Sequence, residues 1–257
     1  MKAAVKAMKK TLLLISVIAV TALAGAAALG AQDKDSAQAV QGRVMEKFKQ
    51  TGLLLGNDIQ VAVAEKTVTL TGTVRNLFQK EQAGHDAQGA AKGFKIANNI
   101  ALAPSGLSPQ QIAEAVMAGI ERSPSYFIFD YVGLSVTPDG VVRLKGWTIY
   151  PWSASDLLKV AQSQPGVQKV ESDIQRILSS DSDQALRLSV ARLLYLRPTG
   201  PSFSRMNGPV HILVQNNVVT LGGTVEKESD IDAFERLVRF NTGASNVYNF
   251  LRLGKKD

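Results

Sequence analysis

The chain carries two histidines, His85 and His211, and no cysteine. A metal centre needs several imidazole, thiolate or carboxylate groups converging on one point. His85 sits in a helical stretch beside Asp86, and His211 sits in a strand of a different segment, so their spacing offers no such set. Both read as isolated surface or edge histidines. Without cysteine there is no disulfide, zinc–thiolate cluster or thiol nucleophile. No Gly-x-Ser-x-Gly elbow, P-loop or dinucleotide fingerprint occurs. The expectation is a chain that is not an enzyme and that needs no cofactor or metal.

The residues that do suggest chemistry suggest contact. Arg143, Lys145, Trp147, Tyr150 and Trp152 lie close together and include both tryptophans of the chain. Indole and phenol rings favour the headgroup layer of a bilayer, and neighbouring cations attract anionic lipid. The same rings could instead pack on the following helix and cover the edge of their own segment. Pro151 keeps the connection after Tyr150 out of helical form. A second aromatic run, Ser-Tyr-Phe-Ile-Phe-Asp-Tyr, occupies 125–131. Alternating burial accounts for half of it, and the rest needs a cover such as a neighbouring segment. An unpaired sheet edge that accepts a partner's strand is a further route to binding.

The elements that hold these residues come in three copies. Val-Thr-Leu-Thr-Gly-Thr-Val at 68–74, Val-Arg-Leu-Lys-Gly-Trp-Thr at 142–148 and Val-Thr-Leu-Gly-Gly-Thr-Val at 219–225 share one pattern. Their key glycines, Gly72, Gly146 and Gly223, lie 74 and 77 residues apart. A second glycine, Gly93, Gly166 or Gly243, follows 21, 20 and 20 residues later and opens a further apolar stretch. A period of that length marks a structural repeat. The three key glycines read as backbone positions, at a bulge or a close approach, and not as chemistry.

Each copy reads as helix, strand, strand, helix, strand. Ile59, Val61 and Val63 alternate with polar or small residues, as do Val68 and Leu70, the mark of half-buried strands. Glu65-Lys66, Thr-Pro-Asp-Gly at 137–140 and Asn216-Asn217 supply the hairpin turns. The first helices are marked by Val40, Val44 and Phe48, by Ile112, Val116 and Ile120, and by Leu186, Val190 and Leu194. The second helix shows best in the third copy, through Ile231, Phe234, Leu237 and Val238. In the first copy it is alanine-rich with Gly84 and Gly89, so its core contact should be thin. The fold class expected is α+β. Three tandem αββαβ modules, at 37–103, 108–178 and 183–253, each form a small three-stranded mixed sheet with two helices on one face. The third has an extra loop at 197–209, rich in proline and glycine.

The formal charge is +7, but the first 30 residues hold four lysines and no acid. Taking those four from the 29 basic residues leaves 25 against 22 acidic ones. No RNP-like or zinc-finger motif is present, so nucleic acid is not an expected partner. The lysines precede the apolar run 11–29, and small residues follow, which reads as a signal peptide at 1–30. The mature chain would then be periplasmic or secreted. The run is long enough to serve instead as an uncleaved inner-membrane anchor.

The repeated pattern resembles the BON domain, whose signature is a strand pair V-T-L-x-G-x-V, a helix, then G-V-x-x-V-x-N-x-I. The first copy matches at 68–74 and 93–100, the second at 142–146 and 165–174. The third matches well at 219–225 and more loosely at 243–250, where Ala244 replaces an apolar residue. The resemblance covers roughly 37–253. It implies an α/β module of bacterial exported proteins, osmotically induced periplasmic proteins among them, and also of outer-membrane lipoproteins, secretins and channels. It implies binding of phospholipid or other envelope partners, without catalytic residues. The function expected is that of an envelope protein that binds anionic phospholipid surfaces or envelope proteins. The alternative is a stress-related, chaperone-like scaffold, and no small-molecule substrate is evident.

Overall fold

The structure, a computed structural model, describes residues 36–196 and 208–254. The apolar segment expected to direct export, and most of the proline-rich loop, lie outside the described residues. Residues 35–257 make one compact unit.

Each repeat begins at a serine. Ser36 precedes α1 (Ala37–Gln50), Ser108 precedes α3 (Pro109–Glu121) and Ser180 precedes α5 (Asp181–Tyr195). In all three the hydroxyl accepts the backbone N–H three residues on, and at Ser108 and Ser180 the N3 side chain, Gln111 or Asp183, bonds back to the serine N–H. Each such cap is worth about 1 kcal/mol and fixes where the helix starts.

The strands follow in the expected order. In the first repeat β1 (Asp58–Ala64) and β2 (Thr67–Val74) form an antiparallel hairpin. After α2 (Leu77–Ala90), β3 (Lys95–Asn98) and β4 (Ala101–Leu102) add in parallel to β2 with one continuous register. The edge expected as one strand is thus interrupted at Asn99 and Ile100. In the second repeat β5 (Tyr131–Val136), β6 (Val141–Thr148), α4 (Ser153–Gln162) and β7 (Lys169–Arg176) repeat the plan. In the third the corresponding elements are β8 (Val210–Gln215), β9 (Val218–Val225), α6 (Glu228–Asn241) and β10 (Asn246–Leu253). In every sheet the middle strand pairs antiparallel with its predecessor and parallel with its successor.

The hairpins turn where left-handed backbone is tolerated. Glu65 and Lys66 have φ of 47° and 57°, and Asn216 and Asn217 have 52° and 61°. Two successive positive angles define the tight turn that matches strand twist. Asp183 reinforces the third turn by accepting the N–H groups of both asparagines, at 3.2 and 2.7 Å.

Three apolar interiors result. Val40, Val44 and Phe48 meet Val61, Val68 and Leu70 in the first. Ile112, Val116 and Ile120 meet Val142, Leu144 and Leu157 in the second. Leu186, Val190 and Leu194 meet Ile212, Val219 and Leu221 in the third. Neighbours lend residues across the boundaries. Leu77 of α2 packs into the second interior, and Ile128 from the second repeat packs into the third. Within its own interior α2 contributes only alanines, Ala83, Ala87 and the partly buried Ala90, so that contact is thin. Interiors this small gain stability by leaning on one another.

Candidate contact surface

The three signature glycines have one geometric job. Gly72, Gly146 and Gly223 have φ of 111°, 154° and 101°. A Cβ on any of them would sit within 2.0 Å of a carbonyl oxygen on the adjacent strand or its lead-in, that of Asp58, Tyr131 or Pro209. No side chain fits there, so the position sets backbone approach.

Helices cover one face of each sheet, and the other face differs from copy to copy. On the first sheet, Asp58, Gln60 and Ala62 of β1 stand opposite Thr73, Thr71 and Thr69 of β2. That face is small and polar. On the second, Tyr131, Gly133 and Ser135 of β5 stand opposite Trp147, Lys145 and Arg143 of β6. On the third, Leu213 pairs with Thr220, which pairs in turn with Tyr248 of β10, and Phe250 lies beside Gly222. Tyr248 and Phe250 are 51% and 61% exposed, so two large rings face solvent from the C-terminal strand. Tyr131 and Trp147 border the same surface, and with Leu213, Tyr248 and Phe250 they line an open cleft of about 350 Å³.

The structure divides the expected contact cluster. Trp147 points to this cleft, whereas Tyr150 and Trp152 lie past the end of β6. Their rings stack at 4.8 Å, and Phe127 meets Tyr150 edge-on at 5.2 Å. The cations are largely matched within their own sheet. Arg143 makes a 2.9 Å ion pair with Glu171, which Lys169 also approaches at 2.8 Å, and those two cations hold the Glu171 carboxyl below its ordinary range. Lys145 stands opposite Asp173 in the ladder. The cation that stands beside exposed rings is Arg252, which shares the open face of β10 with Tyr248 and Phe250. Sequence reasoning passed over Tyr248, Phe250 and Arg252. Their signal was there, because alternation along Asn-Val-Tyr-Asn-Phe-Leu puts Tyr248 and Phe250 opposite the buried Val247 and Leu251.

The outer edge of β10 is held by its own side chains. Asn246 Oδ1 accepts the Val247 N–H at 2.8 Å, and Asn249 Oδ1 accepts the Leu251 N–H at 3.1 Å. Arg239 donates to the Val247 carbonyl at 3.1 Å. These are alternate residues, the set that an edge strand leaves without ladder partners. Asn249 also donates to the Ile231 carbonyl of α6 at 2.8 Å. Asn98 of the first sheet does the same with the Lys80 carbonyl of α2, at 2.7 Å.

Between the second and third sheets lies a seam of buried polar groups. The run 125–131 is turn and irregular chain, and only Tyr131 joins a strand. The Ile128 carbonyl accepts the Ile212 N–H at 2.7 Å, tying the run to β8. This is the neighbouring cover that the aromatic run required. Gly222 makes room for it, since a Cβ there would meet the Tyr131 ring at 3.0 Å. His211, expected as an isolated surface or edge histidine, does lie on an edge strand but is buried. It packs between the rings of Tyr126 and Tyr131, with centroids at 5.0 and 5.7 Å, because this seam covers β8. Burial pushes its imidazole down to about 4. Asp130 is fully buried, and its carboxylate accepts the N–H groups of Phe127 at 2.9 Å and Ile149 at 2.8 Å. Burial pushes that carboxyl up to about 6, against those two hydrogen bonds and the pull of Arg187. Arg187 donates to Gln184, Ser179 and the Val214 carbonyl, with its guanidinium 5.7 Å from the centre of the Phe129 ring.

Among the described residues no group of three or more histidines and carboxylates is placed to hold a metal ion. Among them, no helix is long and apolar enough to cross a membrane.

A model of the BON domain matches residues 36–104 and 204–255. The middle repeat has the same strand order but lies outside both matched stretches. Where the first and third repeats place Asn98 and Asn249 beside the central strand, it places Ser172. No curated protein matches the chain. Two solved structures of CdsD, a structural protein of the type III secretion system of Chlamydia trachomatis, were found to be similar. One is 12% identical, with 84% of this chain and 92% of that chain covered and a TM-score of 0.25. The second, a C-terminal domain, is 14% identical, with 83% and 96% covered and a TM-score of 0.25. Residues 36–104 and 204–255 are thus each similar to the BON domain, the family whose model they match.

Proposed function

We propose that the protein is a non-catalytic envelope protein, periplasmic or secreted, that docks on anionic phospholipid surfaces through the helix-free face of its third repeat. The observation that carries this reading is the row Tyr248, Phe250 and Arg252 on β10, two exposed rings and a cation on one face. Rings of that kind settle at the headgroup layer, and a cation beside them gains from the negative surface potential. Trp147 extends the aromatic surface across the cleft. Similarity to the BON domain supports an envelope role.

Flotation with phosphatidylglycerol vesicles tests the reading. The protein should float with them, less so at high salt. A Tyr248→Ser, Phe250→Ser double variant should bind at least tenfold more weakly, whereas Arg143→Gln, whose cation already serves Glu171, should change little. Full retention of binding by the double variant would sink the assignment.

A further inference from the structure

A second cleft, of about 460 Å³, opens between α5 and the turn run of the second repeat. Its volume falls in the range of small-molecule sites. Phe127, Ile128, Phe129 and Tyr150 form one wall. On the other, Leu188, Arg192 and Leu196 are spaced four residues apart, one row along the helix, with Ala191 beside them. Leu196 is 71% exposed and Leu188 39%, so apolar side chains stand open at the cleft instead of closing it. The core row of the same helix, Leu186, Val190 and Leu194, is spent on the third interior. Among the described residues, the exposed row is therefore a second apolar stripe that nothing buries.

Charge decides the class of occupant. Arg192 is the one charged residue of the lining, and it makes no ion pair among the described residues. Arg187 lies five residues, about 1.4 turns, earlier on α5, above Phe129. Asp130, the nearby carboxylate, is already held by two main-chain N–H groups. The last-turn carbonyls of α5 carry partial negative charge, which is smaller than the full charge of Arg192. An apolar trough with a cation at its lip complements a chain that is apolar along its length and anionic at one end. We propose that this cleft binds a single-chain anionic amphiphile, its hydrocarbon tail against Phe127, Phe129 and Leu188 and its carboxylate on Arg192. The site is separate from the face proposed for membrane docking and does not depend on it.

Calorimetric titration of the full chain with decanoate, dodecanoate and tetradecanoate, each kept below its micelle concentration, tests the proposal. Each added methylene should raise affinity about fourfold until the chain outgrows the cleft. Arg192→Gln should weaken dodecanoate at least tenfold and leave dodecanol unchanged, and Arg192→Lys should restore part of the loss. Dodecyltrimethylammonium should bind at least tenfold more weakly than dodecanoate. Equal affinity for the two head groups, or no effect of Arg192→Gln, overturns the assignment, as does absence of dodecanoate binding. The Tyr248→Ser, Phe250→Ser variant should keep dodecanoate binding while losing vesicles, and Arg192→Gln should do the reverse. Loss of one activity therefore leaves the other proposal standing or falling on its own data.

Discussion

Ala97 and Tyr248 occupy equivalent places, each beside a threonine of the central strand, Thr69 or Thr220, on the helix-free face. Around Ala97 the face is threonine, glutamine and alanine. Around Tyr248 it is Leu213, Phe250 and, across the cleft, Trp147. Strand order, register and the signature glycine are the same in the two sheets. The helix-facing side chains decide that the module folds, and they are interchangeable between copies. The open-face side chains are free of that duty, so copies can diverge there without loss of fold.

If that separation holds, what the copies share should fail alike. Gly72→Ala and Gly223→Ala should each destabilise by at least about 3 kcal/mol, since both force a Cβ into a carbonyl oxygen from a left-handed backbone. Urea denaturation measures it, and a harmless substitution at either position would break the equivalence.

The seam around the third sheet gives the next effect. Asp130 titrates near 6 in the fold and near the ordinary carboxylate value when unfolded. Between those values the fold holds the extra proton, so this group adds stability as pH falls. His211 titrates near 4 in the fold and near its ordinary value when unfolded. There the unfolded chain holds the extra proton, so this group removes stability as pH falls from about 6.5 to about 4. Each contribution is about 3 kcal/mol and the two oppose. In His211→Phe only the Asp130 contribution remains. The change in stability from pH 7 to pH 4.5 should then be more favourable than in the native chain by about 2 kcal/mol. An unchanged pH dependence counts against burial of the imidazole.

A graft sharpens the comparison most directly. Ala97→Tyr with Asn99→Phe copies the aromatic row onto the first sheet. In a chain already carrying Tyr248→Ser and Phe250→Ser, it should recover about tenfold in vesicle affinity. No recovery would mean that Trp147, Tyr131 or Arg252, which have no counterpart there, are indispensable. The smallest effect concerns the amide that links helix to edge strand. Asn249→Ala and Asn98→Ala should each cost about 1 kcal/mol, and Ser172→Asn should gain a few tenths to about 1 kcal/mol in the middle repeat. Thermal melting resolves both signs.

Much of this was legible in the residues. Val40, Val44 and Phe48, and their counterparts in the other repeats, are buried as helical spacing demands. Asn216-Asn217 forms the tight turn that asparagine allows. Ser108 before Pro109 reads as a helix start, and Ser36 and Ser180 could have been read with it, since the three recur every 72 residues. What the chain did not disclose depends on contacts between repeats. His211 is buried only because the run 125–131 folds back on β8, and no local pattern predicts that. The contact cluster was read as one site because its residues are close in sequence. The end of β6 sends Trp147 to one cleft and Tyr150 to another.

The side-chain bonds along β10 bear on how the protein behaves when concentrated. A long terminal strand with two solvent-facing rings is the kind of segment that seeds fibrils, because the next molecule can add at the open edge. Here Asn246, Asn249 and Arg239 occupy three of those backbone groups first. A neighbour arriving at this edge finds the N–H and carbonyl of Val247 and the N–H of Leu251 already taken, which weakens the edge as a template for stacking strand on strand. The strand that carries the sticky face is thus guarded along part of its own edge.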